Sequence, residues 1–226
     1  MRIAEVFHSI QGEGRLTGVP SVFVRTSGCN LRCWFCDTPY TSWNPEGAER
    51  SVASLVDEVN GFSCEHVVIT GGEPMLVKDV IELAGRFKQA GKHITIETAG
   101  TVDLNVPADL MSISPKRANS TPGPDTGWAE RHDARRHRPD VIRRLTTDYD
   151  YQLKFVVDEP SDLDDVAQWL TEFPHIDSAK VYLMPQAIDR GPHAEKVAWL
   201  GEAAAERGWQ LCRRLHIELF GNKRGT

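Results

Sequence analysis

Short runs rich in apolar and β-branched residues recur along the chain: SVFVRT (21–26), HVVIT (66–70), HITIET (93–98), LMSISP (110–115), YQLKFVV (151–157) and AKVYLMP (179–185). Helical patterns lie between several of them. Residues 77–91 place Val77, Val80, Ile81, Ala84 and Phe87 at helical spacing, with Gly91 as the stop. Residues 161–173 open with Ser161 as an N-cap and acidic residues in the first turn, which complement the helix dipole. Strand–helix alternation of this kind predicts an α/β fold built on a parallel sheet. Ligand chemistry in such sheets gathers at the carboxyl ends of the strands. TGGEP (70–74), ETAG (97–100), SPK (114–116) and LMPQA (183–187) all fall at such ends.

The 226 residues suffice for one domain with a sizeable core and no disulfide staples. A net charge of −6 speaks against general nucleic-acid binding. The N-terminal MRIAEVFHSIQGEG carries Glu5 and His8 where a signal peptide needs an unbroken apolar run, and no stretch reaches transmembrane length. A cytoplasmic address is expected, where thiols stay reduced and clustered cysteines read as metal-binding or catalytic.

Residues 28–43, GCNLRCWFCDTPYTSW, hold Cys29, Cys33 and Cys36, three of the five cysteines. The spacing would align them on one helix face as core thiols, but Gly28 and Pro39 make the segment a poor long helix. A structural zinc site normally takes four ligands in paired C-x2-C spacing, whereas Cys64 and Cys212 stand alone and a distant His would have to complete the set. A c-type haem needs C-x-x-C-H, and Asp37 follows Cys36. The remaining reading is an iron–sulfur cluster with one iron left free of a protein thiolate. HVVITGGEPMLV (66–77) adds a buried strand that delivers a glycine loop, with a helix starting near Val77. It is either a plain strand–helix connection or a place where backbone approaches a ligand closely.

CNLRCWFC, with Phe35 directly before the last cysteine, followed by GGEP after a strand, resembles the two cofactor motifs of the radical S-adenosylmethionine (SAM) superfamily. The resemblance implies a partial, open TIM-like (β/α) barrel. It also implies a [4Fe-4S] cluster on Cys29, Cys33 and Cys36, SAM on the open iron, and an electron donor such as flavodoxin or ferredoxin. In that superfamily reductive cleavage of SAM yields methionine and a 5′-deoxyadenosyl radical.

QGEG (11–14), CDT (36–38), TGGEP, ETAG and SPK in this order, continued by YQLKFVV, resemble the 7-carboxy-7-deazaguanine synthase family. That family converts 6-carboxy-5,6,7,8-tetrahydropterin to 7-carboxy-7-deazaguanine with loss of ammonia, a step toward queuosine, starting with hydrogen abstraction from C6. The resemblance implies substrate contacts at Ile10, Gln11, Gly12, Glu13, Arg25 and Thr70, with Thr226 at the chain end. Arg25 would clamp a carboxylate through its planar fork or form an ordinary strand-end ion pair. Thr38 would help hold Mg2+, which takes hard oxygen ligands, or act as a turn residue. SAM would meet Phe35, Cys36, Asp37, Gly72, Ser114, Pro115, Lys116 and Gln186. Glu97 would accept from the ribose hydroxyls or support other side chains. No acid or base beyond the cofactors is assigned.

Residues 117–150 are polar and rich in Pro, Gly and Arg; WAERHDARR reads as a helix and the rest as loop, either a lid or a solvated surface insertion. Residues 211–226 read as a last strand followed by a basic tail. A glycyl-radical-enzyme activase shares the cysteine spacing, and a zinc-binding interaction module is the non-enzyme alternative. QGEG and CDT favour a small pterin substrate, with no nucleic-acid or membrane partner and, by resemblance, a homodimer.

Overall fold

A computed structural model describes residues 1–226. Its framework is an open nine-stranded sheet in the order β3-β1-β2-β4-β5-β6-β7-β8-β9. The strands are β1 (Arg2–Ile10), β2 (Pro20–Thr26), β3 (Ala48–Glu49), β4 (His66–Gly71), β5 (His93–Thr98), β6 (Leu110–Ile113), β7 (Tyr151–Val157), β8 (Val181–Pro185) and β9 (Gln210–Leu211). From β2 to β9 every pairing is parallel. The expected strands all form. Only β1 runs against the rest, antiparallel to both β2 and β3, which the alternation does not foretell. Residues 11–19 are too few for a crossover helix, so β2 must return beside β1. The edge strands β3 and β9 are two residues each, which leaves little unpaired backbone at either rim.

Helices α1 (Val52–Asn60), α2 (Asp79–Gln89), α3 (Ala129–Arg136), α4 (Pro139–Asp148), α5 (Asp162–Thr171), α6 (Arg190–Glu206) and α7 (Leu215–Phe220) fill the connections. The helix after GGEP begins at Asp79, later than expected, because Pro74–Leu76 first makes a 3-10 turn. Its buried face is Val80, Leu83, Ala84 and Phe87, while Ile81 is exposed. Ser161 does not cap α5. Its hydroxyl donates to Glu159, and the Asp162 carboxylate instead accepts from the backbone N–H of Asp158 at 2.7 Å.

The segment 117–150 departs furthest from expectation. Beyond the anticipated α3 it forms α4, whose Val141, Ile142 and Leu145 are fully buried in the core. Burying three such side chains contributes roughly 1.5–3 kcal/mol each, enough to overcome the arginines on the other face. None of residues 117–150 lines the main cavity. The C-terminal stretch departs as well: β9 gives way to α7 before the tail, since Leu215 and Ile217 start a short helix with Ile217 buried. None of the helices is long and apolar enough to cross a membrane.

Candidate active site

The carboxyl ends of β2, β4 and β5 are locked into one frame by main-chain hydrogen bonds. Gly28 N–H donates to Thr41 O (2.8 Å), closing the cysteine loop, and Glu73 N–H donates to Gly28 O (2.9 Å). Gly71 has φ 132°, and a Cβ there would lie 2.1 Å from Thr26 O. A Cβ on Gly72 would lie 2.1 Å from Gly28 O, so only glycine lets the two loops touch. Glu73, fully buried, accepts from Thr98 Oγ1 (2.8 Å), Ala99 N–H (2.8 Å) and Met75 N–H (3.1 Å). Burial pushes its pKa up, against these hydrogen bonds.

Cys29, Cys33 and Cys36 all face the same cavity of about 510 Å³. Cys29 Sγ accepts from Leu31 N–H (3.4 Å), and Cys36 Sγ lies 3.2 Å from Ser42 Oγ. Burial pushes the Cys29 thiol to about 11 and Cys33 to about 12, so each needs a bound cationic centre to become a thiolate. No group of three or more His, Cys, Asp or Glu side chains converges on a single-ion site. Three sulfurs from one loop ringing an open cavity fit a polynuclear cluster, in which each thiolate holds a different iron. Cys64 and Cys212 are buried and do not line the cavity. The Cys64 sulfur donates to Pro20 O, and Cys212 Sγ accepts from Gly14 N–H.

The opposite part of the cavity is charged. Lys154 is only 3% exposed, and its Nζ bonds Glu13 Oε2 at 2.7 Å and Glu97 Oε1 at 3.3 Å. Glu97 also accepts from Thr70 Oγ1 (2.8 Å) and Gln11 Nε2 (3.3 Å). Arg214 Nε reaches Glu13 Oε1 at 3.1 Å. Burial acts to raise the Glu13 pKa, but the Lys154 and Arg214 cations outweigh it and hold the carboxyl well below its usual range. Burial likewise works against the Lys154 ammonium, and Glu13 and Glu97 more than compensate. The register explains how these groups meet. Gln152 and Lys154 share a face of β7, while Leu153 and Phe155 turn into the core.

Every residue singled out from sequence lines this cavity except Pro115, which is buried beside it. Arg25 donates from Nε to Glu5 Oε1 (2.7 Å), and its terminal nitrogens make no protein hydrogen bond. Lys116 folds back onto Ser114 Oγ at 2.6 Å. Gln186 receives Lys196 on its backbone carbonyl at 2.6 Å. The tail 222–226 also lines the cavity, with Arg224 stacked 4.1 Å over Tyr40 and bonded to Glu46. Sequence reading missed Lys154, Arg214 and His216. A lone lysine inside an apolar strand run was the one available signal; nothing marked the other two.

Residues 23–139 match the radical SAM superfamily, and the chain belongs to it. The full length then narrows the assignment. The chain is 45% identical to the 7-carboxy-7-deazaguanine synthase of Rhodopirellula baltica, over 99% of this chain and 88% of that one. It is 46% identical to that of Halobacterium salinarum, over 97% and 90% respectively. The fold resembles the crystal structure of QueE from Escherichia coli, with TM-score 0.72 and 24% identity over 93% of this chain and 92% of that one. The chain is a member of the 7-carboxy-7-deazaguanine synthase family, a radical SAM enzyme rather than a zinc module.

Proposed function

We propose that the cavity converts 6-carboxy-5,6,7,8-tetrahydropterin to 7-carboxy-7-deazaguanine with loss of ammonia. The observation that carries this reading is the union, in one cavity, of the three-cysteine loop with a buried polar floor. When bound, the cluster and SAM supply a 5′-deoxyadenosyl radical. The residues then orient the substrate and exclude water. Gln11 and Glu13 offer hydrogen-bonding groups to the pterin edge, held in place by Glu97 and Lys154. Glu97, whose oxygens are already engaged by Thr70, Gln11 and Lys154, acts chiefly as that support. Thr70 sits beside Arg25 in the sheet register.

The free terminal nitrogens of Arg25 form a planar fork for the substrate carboxylate. Thr38, whose Oγ1 lies 3.3 Å from Thr41 Oγ1, would offer one oxygen to a bound Mg2+, whose charge would offset that of the substrate carboxylate. Phe35, Asp37, Gly72, Ser114, Lys116 and Gln186 form the SAM side, with buried Pro115 between Ser114 and Lys116, and Thr226 closes the substrate side. The reading carries with it a homodimer in the cytoplasm, reduced by a protein such as flavodoxin or ferredoxin. An anaerobic assay of reconstituted protein with dithionite, SAM, Mg2+ and 6-carboxytetrahydropterin, followed by mass spectrometry, tests it. Release of 7-carboxy-7-deazaguanine is expected; 5′-deoxyadenosine without that product would remove the substrate assignment.

A further inference from the structure

Arg214 is the one non-glycine residue with a left-handed backbone, at φ 50° and ψ 59°. Such a conformation persists only where the surroundings over-determine it. Here its neighbours dock against the β1–β2 loop. Leu215 N–H donates to Gly12 O at 2.8 Å, and a Cβ on Gly12 would lie 2.0 Å from His216 Nδ1. The Arg214 side chain, 6% exposed, then divides its nitrogens among three loops. Nε donates to Glu13 Oε1 (3.1 Å), one terminal nitrogen to Ala187 O (2.6 Å), and the other to the Asp37 carboxylate. Asp37 accepts no other hydrogen bond, and no hydrogen bond joins any two of these loops directly.

The three loops differ in what they carry. Glu13 belongs to the pterin side, Asp37 follows the last cluster cysteine, and Ala187 follows Gln186 at the end of β8. We propose that Arg214 is a positioning residue that fixes the cysteine loop against the substrate loop, so that hydrogen abstraction is aimed at one substrate carbon. The inference rests on the function proposed above. A planar guanidinium can serve three separated acceptors at once, whereas a lysine ammonium is a compact point charge. The Arg214 guanidinium donates to three protein acceptors. It acts through Glu13 and Asp37.

Arg214→Gly and Arg214→Lys test this. Glycine adopts the left-handed backbone without strain, so the first variant removes the guanidinium while sparing the turn. In cluster-free protein, amide exchange in peptides covering 11–19 and 36–43 is expected to rise by roughly tenfold in Arg214→Gly, with β4 and β5 unchanged. In reconstituted protein the same variant is expected to make 5′-deoxyadenosine in several-fold excess over product. Arg214→Lys is expected to loosen the 36–43 peptide alone and to give an intermediate product ratio. Unchanged exchange in Arg214→Gly would overturn the proposal. So would faster exchange with an unchanged product ratio, which marks a merely stabilising residue, or a lysine variant equal to wild type in both readouts. Wild-type protein that makes 5′-deoxyadenosine but no 7-carboxy-7-deazaguanine would instead defeat the function reading, and the exchange result would still judge Arg214.

Discussion

The cysteine wall and the charged floor of the cavity are held by different forces. Backbone hydrogen bonds and glycine contacts fix the wall, through Gly28, Gly72 and the buried Glu73. The floor depends on side-chain charges brought from four distant parts of the chain: Glu13, Glu97, Lys154 and Arg214. The wall needs shape, so small changes of volume should damage it. The floor needs balance, so removing one charge should damage it while removing an opposed pair should hurt less.

The largest expected effect is on the floor. Lys154→Met leaves partly buried Glu13 with Arg214 alone and partly buried Glu97 with no cation, and urea denaturation should show a loss at the lower end of roughly 3–5 kcal/mol. Adding Glu13→Gln should recover part of that loss; no recovery would mean that the floor is not a charge balance. On the wall, Gly72→Ala should cost roughly 1–3 kcal/mol from overpacking against Gly28 O, with lowered iron content after reconstitution. A variant with full iron and unchanged stability would show that the two loops need not touch.

Acid should separate the two regions more gently. His132 is fully buried beside the cysteine loop; its Nδ1 accepts from Arg32 N–H at 3.1 Å, and its Nε2 lies 2.8 Å from Ser120 Oγ. Burial lowers its pKa from 6.5 to about 4. The neutral ring is favoured in the fold, so its contribution is complete above pH 6.5 and declines as pH falls toward about 4. Glu13 has the opposite chemistry. Its folded pKa is depressed, so its contribution is present above the ordinary value of 4.5 and is lost only as pH falls through the lowered one. Exchange measured from pH 7 downward should therefore loosen residues 30–34 before residues 11–14. The reverse order would contradict these assignments.

The smallest expected effect is Arg25→Gln, which keeps a polar group near Glu5 but loses the fork. Stability should change little, while KM for the pterin should rise at least tenfold, about 1.4 kcal/mol. An unchanged KM would reduce Arg25 to an ion-pair partner of Glu5.

The same contrast explains what the sequence made legible. The wall is local: cysteine spacing, a glycine pair after a strand and the strand runs themselves are written within short windows. The floor is non-local. Lys154 sits in an apolar run and reveals its direction only through strand alternation, and Arg214 gains meaning only when residues 10–14, 37 and 187 arrive around it. Helix α4 was obscured by Arg138 just before it and by Arg143 and Arg144 within it, although Val141, Ile142 and Leu145 already had helical spacing. The antiparallel β1 followed from loop length rather than residue pattern.

The most direct measurement uses 6-carboxytetrahydropterin deuterated at C6 with the reconstituted protein. Deuterium is expected to appear in 5′-deoxyadenosine as 7-carboxy-7-deazaguanine forms. Unlabelled 5′-deoxyadenosine would contradict the claim that wall and floor together aim the chemistry at that carbon.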